Sequence, residues 1–155
     1  MKTLITYMSI HHSNTEKIAK VMAEILEAKL AKPCEVDTAT ISKYDLIGFG
    51  SGIYFFKHHK SLLNLIDKLS LQKNKKAFIF STRGMDPIWF YHRPLKKKLL
   101  ERSFDIVGEF SCRGFDTYLF DKYIPPLKFT GGISKGRPNE KDLKNARKFA
   151  KDLKG

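Results

Sequence analysis

An α/β sandwich of three layers, with a five-stranded parallel sheet of order 2-1-3-4-5 between two helical layers, is the fold this 155-residue sequence predicts. Three observations carry that expectation. Short apolar runs alternate five times with segments whose apolar residues recur at helical spacing, and crossovers of that length connect parallel strands. The run DLIGFG, Asp45 to Gly50, is apolar on both faces, as a central parallel strand is. The first strand meets the first helix through a short loop crowded with hydroxyls, from Tyr7 to Ala19 (YMSIHHSNTEKIA).

Each element has its own signature. Leu4 to Met8 is apolar and partly β-branched, a strand; Ile18, Val21, Met22, Ile25 and Leu26 then mark the buried face of the first helix. Ser13, Asn14 and Thr15 stand where they can cap that helix, whose first N–H groups point at whatever lies in front of them, an anion by preference. After Pro33, Cys34-Glu35-Val36 reads as the second strand, and Asp45 to Gly50 as the third, ending in the aromatic loop Ser51-Gly52-Ile53-Tyr54-Phe55-Phe56. Leu62, Leu63, Ile66 and Leu69 carry the next helix, and Lys76 to Ser81 (KAFIFS) is the fourth strand. A second loop, Thr82 to Trp89, precedes a helix with Pro94 at or near its first position and Leu95, Leu99 and Leu100 inward. Ile106 to Cys112 is the fifth strand. Beyond it, Arg113 to Gly136 is irregular, interrupted by Pro125-Pro126 and Gly131-Gly132, with aromatics scattered without a period. The last helix starts at Asn139, with Asp142 near its positive end and Leu143, Ala146, Phe149, Ala150 and Leu153 inward.

The length suits one domain over residues 1–155, and no apolar run approaches the roughly 18 residues of a membrane helix. Met1-Lys2-Thr3 leads directly into a strand rather than a signal peptide, so the expected location is cytoplasmic, with Cys34 and Cys112 as reduced structural thiols. The net charge of +13 is concentrated late: residues 61–155 hold 21 basic and 10 acidic side chains, against 8 and 6 before them. Such a field favours an acidic protein, a nucleic acid or an anionic cofactor, although much of it is spaced like the solvated faces of amphipathic helices.

In a sheet of this order, ligands bind outside the carboxyl ends of the strands, where the chain reverses direction between strands one and three. The loops after strands one, three and four converge there. A Walker A site is excluded, since the first loop lacks its glycines and its Lys-Ser/Thr pair. A phosphoacceptor receiver would need acidic residues where Tyr7 and Met8 stand. His11-His12 and His58-His59 lack the carboxylate or thiolate companions of a metal centre, and loop hydrogen bonding is their expected use.

Four pieces, in order on these elements, resemble the flavodoxin family over nearly the whole chain: SIHHSNTEKIA (Ser9 to Ala19), DLIGFGSGIY (Asp45 to Tyr54), FSTRG (Phe80 to Gly84) and GRPNEKDL (Gly136 to Leu143). The resemblance implies noncovalent FMN and electron transfer through its ring. By carry-over, Ser9, His11, Ser13, Asn14 and Thr15 would hold the phosphate, Ser51, Gly52, Ile53 and Tyr54 would border one side of the ring, and Ser81, Thr82, Arg83 and Gly84 the other. Two departures stand out. The phosphate loop is one residue longer than the family's common T-G-N-T form and has no glycine, and the chain is basic where familiar flavodoxins are acidic. The first functional reading is a one-electron carrier serving redox partner proteins, acidic ones by charge, with no membrane insertion. The second is an FMN-dependent NAD(P)H:quinone or small-molecule reductase walled by Phe115 to Phe129, and the third a basic nucleic-acid-binding module. The segment Thr117 to Phe129 is expected to face a partner or form a homodimer.

Overall fold

The computed structural model describes residues 1–10, 12–84, 88–115 and 134–155, with Ile88 and Trp89 as backbone alone. Its elements are β1 (Thr3–Met8), α1 (Asn14–Leu26), β2 (Lys29–Ala31), β3 (Leu46–Tyr54), β4 (Lys57–His58), α2 (Lys60–Asp67), β5 (Lys76–Arg83), α3 (Ile88–Glu101), β6 (Asp105–Arg113) and α4 (Glu140–Lys154). The parallel strands lie in the order β2-β1-β3-β5-β6, while the two-residue β4 pairs antiparallel with the end of β3. Counting the five parallel strands alone gives the expected 2-1-3-4-5.

Strand alternation sorts the core into two layers. Leu4, Ile47, Phe49, Ala77 and Ile79 face α2 and α3, where Leu62, Ile66, Leu95, Leu99 and Phe104 cover them. Ile5, Tyr7, Phe78 and Phe80 face α1 and α4, against Ile18, Met22, Ala146 and Ala150. On this second face Gly48 and Gly50 matter for their missing side chains. A Cβ at Gly48 would come within 2.3 Å of the Phe78 ring, and one at Gly50 within 2.1 Å of the Phe80 ring. The two phenylalanines therefore lie across β3 on space that only glycine leaves.

Four expectations need correction. The second strand is Lys29–Ala31, in register with Leu4, Ile5 and Thr6, and Pro33–Glu35 is a 3-10 turn instead. Pro33 has a locked φ and no N–H to donate, so it favours the turn and cannot extend a ladder. The segment Ser51 to Tyr54, expected as loop, is the end of β3 and the first arm of a hairpin with β4. Pro94 lies inside α3 rather than at its start. Leu100 points outward, 55% exposed. By contrast, Asn139 caps α4 as its position suggested: its side chain accepts from the N–H of Asp142 at 3.1 Å, and the Asp142 carboxylate accepts from the N–H of Asn139 at 2.8 Å.

Candidate cofactor site at the carboxyl edge of the sheet

The ends of β1, β3, β5 and β6 form one edge, and register alone brings the expected residues there: Met8 stands beside Ser51, Ser51 beside Ser81, and Ser81 beside Ser111. Alternation then splits them between the two faces. Thr82 faces α1, and its hydroxyl lies 2.8 Å from that of Thr15 in the first turn of that helix. Ser51 and Ser81 face the other layer. The Ser51 hydroxyl donates to the Gly52 carbonyl at 2.6 Å and accepts from the His59 N–H at 2.9 Å. That bond fixes the far arm of the hairpin.

The loop entering α1 has the features of an anion cradle. His12 and Ser13 both have left-handed φ of 53°, the conformation that a glycine would adopt cheaply and that this loop builds without one. The Ser13 side chain makes no capping bond to the helix. The Ser9 hydroxyl is buried without a hydrogen-bond partner. Leaving such an oxygen unpaired costs roughly 1–3 kcal/mol, which a phosphate oxygen in front of the helix would offset. The other expected ligands are partly committed. The Thr15 hydroxyl meets Thr82, and the Asn14 amide donates to the Phe115 carbonyl at 2.8 Å, tying this loop to the one after β6. His12 packs against Phe115, with ring centroids 4.4 Å apart and planes tilted at 43°. His11 lies outside the described residues, as do Met85 to Pro87 and the segment Thr117 to Phe129. The residues present fit a phosphate held by Ser9, Ser13 and the backbone N–H groups at the head of α1.

On the opposite face runs a polar chain that sequence reasoning missed. The Arg83 guanidinium donates to the Ser111 hydroxyl at 2.8 Å, and the Ser111 and Ser81 hydroxyls are 2.8 Å apart. Ser81 lies 2.7 Å from His92 Nε2, and His92 Nδ1 lies 3.0 Å from Glu109 Oε2. Glu109 Oε1 takes the Lys96 ammonium. The hydrogens can all run one way, from Arg83 to Glu109, if His92 is neutral with its proton on Nδ1. Burial pushes the His92 imidazole below its usual range, Glu109 pulling the other way and Arg83 and Lys96 adding to the fall. Partial burial raises the Glu109 carboxyl, but the bonds from Lys96 and His92 outweigh this and leave it below the ordinary carboxylate value. Ser81 is fully buried, so its side chain braces the strand ends from inside. A signal for this chain existed: His92 and Lys96 are four apart on one helix, and Glu109 and Ser111 alternate on one strand.

His58, on β4, completes this layer. It is buried, its Nε2 lies 3.2 Å from the Phe80 carbonyl, and its ring is 5.1 Å from that of His92. Burial, reinforced by His92, pushes it down to about 3. Of the two thiols, Cys34 is exposed and Cys112 buried; both are free, and burial pushes Cys112 up to about 12, where it is unreactive.

A sheet that reverses at β1/β3 and gathers an anion cradle and the Gly52 to Tyr54 end of β3 at one edge defines a nucleotide-cofactor-binding class of α/β protein. Residues 4–106 match the model of the flavodoxin domain family, so the chain belongs to that family, whose cofactor is FMN. An uncharacterized protein of Methanocaldococcus jannaschii is 50% identical over 99% of this chain and 98% of its own length. The fold is shared with solved structures: a flavodoxin from the domain Archaea (TM-score 0.71, 16% identity, covering 99% of this chain and 96% of that one) and oxidised flavodoxin 1 of Bacillus cereus (0.69, 16%, 99% and 98%). It also matches 34% of the rubredoxin oxygen:oxidoreductase of Desulfovibrio gigas over 96% of this chain (0.71, 17%). No helix among the described residues is long and apolar enough to cross a membrane.

Proposed function

We propose that this chain, acting as one FMN-binding domain, is an electron carrier that shuttles electrons between protein partners. Bound FMN would supply reversible one-electron chemistry, and the protein's part is to hold the group, shield one side of it and present its edge. The observation that carries the reading is the buried, unpartnered Ser9 hydroxyl beside the left-handed His12-Ser13 turn, a phosphate cradle built into the first crossover of a flavodoxin fold. Ser9, Ser13 and the first N–H groups of α1 hold the phosphate. Thr15 and Thr82 fasten the head of α1 to the end of β5, and Gly52 to Tyr54 and Thr82 to Gly84 flank the ring. The basic surface selects acidic partners.

Titrating the apoprotein with FMN and riboflavin, followed by mixing the FMN-loaded protein with a chemically reduced acidic ferredoxin, tests this. FMN is expected to bind far more tightly than riboflavin, and the loaded protein to take the ferredoxin's electron. Steady NAD(P)H consumption with a quinone would replace the carrier reading with the reductase one. Salt-sensitive binding of RNA by apoprotein that ignores FMN would replace both.

A further inference from the structure

The turn joining β3 to β4 is built from residues that the backbone does not favour. Tyr54 pairs with Lys57, so the loop has two residues, Phe55 and Phe56, with φ of 49° and 65°. A two-residue hairpin with both central residues left-handed suits Asn-Gly, because a bulky side chain pays a steric cost there. Phe55 and Phe56 are also 71% and 61% exposed. Strain and apolar exposure at one place give the isolated fold no benefit, and strained residues of this kind cluster at functional sites.

The tip is joined to a basic face. Phe56 stacks on Tyr91 of α3 with centroids 6.1 Å apart and planes at 28°. Along α3 the outer face carries Phe90, 47% exposed, Leu100, and exposed Arg93, Lys96 and Lys97, with Lys96 also paired to Glu109. Lys57 and Lys60 flank the hairpin, both exposed. An apolar tip followed in the chain by Lys57 and Lys60 and packed on a helix whose outer face is basic, at the end of the strand that carries Gly52 to Tyr54, matches a partner with an apolar patch bordered by carboxylates. A second copy of this chain is a poor occupant, because two molecules of net charge +13 repel.

We infer that the Phe55-Phe56 hairpin tip and the outer face of α3 together form the docking surface for an acidic electron-transfer protein. The inference rests on the carrier reading above and assigns the surface it uses. The aromatic tip supplies the desolvated contact, and the α3 and hairpin lysines steer the approach. The left-handed turn holds the Phe55 ring outward and rests the Phe56 ring on Tyr91 with its outer side exposed, so little ordering cost falls on the encounter.

Replacing the turn by its preferred residues separates docking from folding. Phe55→Asn with Phe56→Gly is expected to leave thermal stability equal or higher and FMN affinity within twofold, while slowing electron uptake from a reduced acidic ferredoxin at least tenfold in stopped flow. Lys57→Glu with Lys97→Glu should slow the same reaction at low salt and lose its difference from wild type at high salt. With basic cytochrome c as the acceptor, the charge-reversed variant should react faster than wild type. Variants that match wild type at every ionic strength would overturn the surface while leaving the carrier reading intact. Loss of FMN from the Asn-Gly variant would make the tip a cofactor wall and overturn the docking role. Binding of poly-U by wild type that the Asn-Gly variant abolishes would assign the tip to nucleic acid instead. A wild type that exchanges electrons with neither probe overturns the carrier reading and this one with it.

Discussion

His58 ties stability to pH chiefly through burial, with His92 adding to the effect. Its ordinary value of 6.5 falls to about 3 in the fold, so the unfolded chain binds a proton that the folded chain refuses between those values. Its contribution is complete above about pH 6.5 and is lost as pH falls toward 3; between pH 7 and pH 5 the loss is about 2 kcal/mol. His92, also lowered mainly by burial, acts in the same direction. His58→Gln keeps a donor for the Phe80 carbonyl and removes the titration, so urea unfolding at the two pH values should show a clearly smaller acid loss. Identical losses in both proteins would discard the assignment. Ser9 gives the second prediction at this scale. Ser9→Ala removes an unpartnered buried hydroxyl, so the apoprotein should be as stable or more so, while FMN binding weakens by roughly 1.5–3 kcal/mol. Riboflavin, which has no phosphate, should bind both proteins alike; an equal loss for both ligands would count against a phosphate contact.

At the scale of elements, β3 shows how one strand meets two demands. Its first half must let Phe78 and Phe80 cross it, which is why glycine stands at positions 48 and 50; its second half leaves the core and becomes a hairpin arm. Gly50→Ala is therefore expected to destabilise by about 1–3 kcal/mol or more, since the methyl group would meet the Phe80 ring and that ring is fully buried. Guanidinium unfolding should show a lower midpoint with an unchanged slope. A midpoint equal to wild type would mean that the ring can move aside at little cost. The chain of bonds from Arg83 to Glu109 does comparable work across elements, fastening α3 to the ends of β5 and β6.

For the whole molecule, charge is the dominant property. An electron added to a bound cofactor is a negative charge placed in the field of a protein carrying +13, with Arg83 at the end of β5. That field favours the reduced state, and salt screens it. The midpoint potential of the FMN-loaded protein should become more negative by on the order of 10–50 mV between low and high ionic strength. Spectroelectrochemical titration at 20 and 500 mM NaCl measures this directly. A potential that ignores salt, or moves upward, would remove the claim.

Local chemistry was enough to determine the order of elements, the parallel sheet and the capping of α4 by Asn139 and Asp142, because alternation, helical spacing and capping are all set by residues within a few positions of one another. What the sequence could not decide was how distant residues share space. β2 fell on Lys29–Ala31 because β1 offers a ladder there, although Lys29–Ala31 does not look strongly like a strand in isolation. Thr15 and Asn14 found partners in Thr82 and Phe115, sixty-seven and one hundred and one residues away, while the Ser9 hydroxyl, like those of Thr3 and Thr6 on β1, is buried without one. Ser81, expected at the cofactor, faces inward to His92 because its place in the pleat puts it on the α3 side, while its neighbour Thr82 faces α1. The side a strand residue takes follows from register, and register is a property of the assembled sheet.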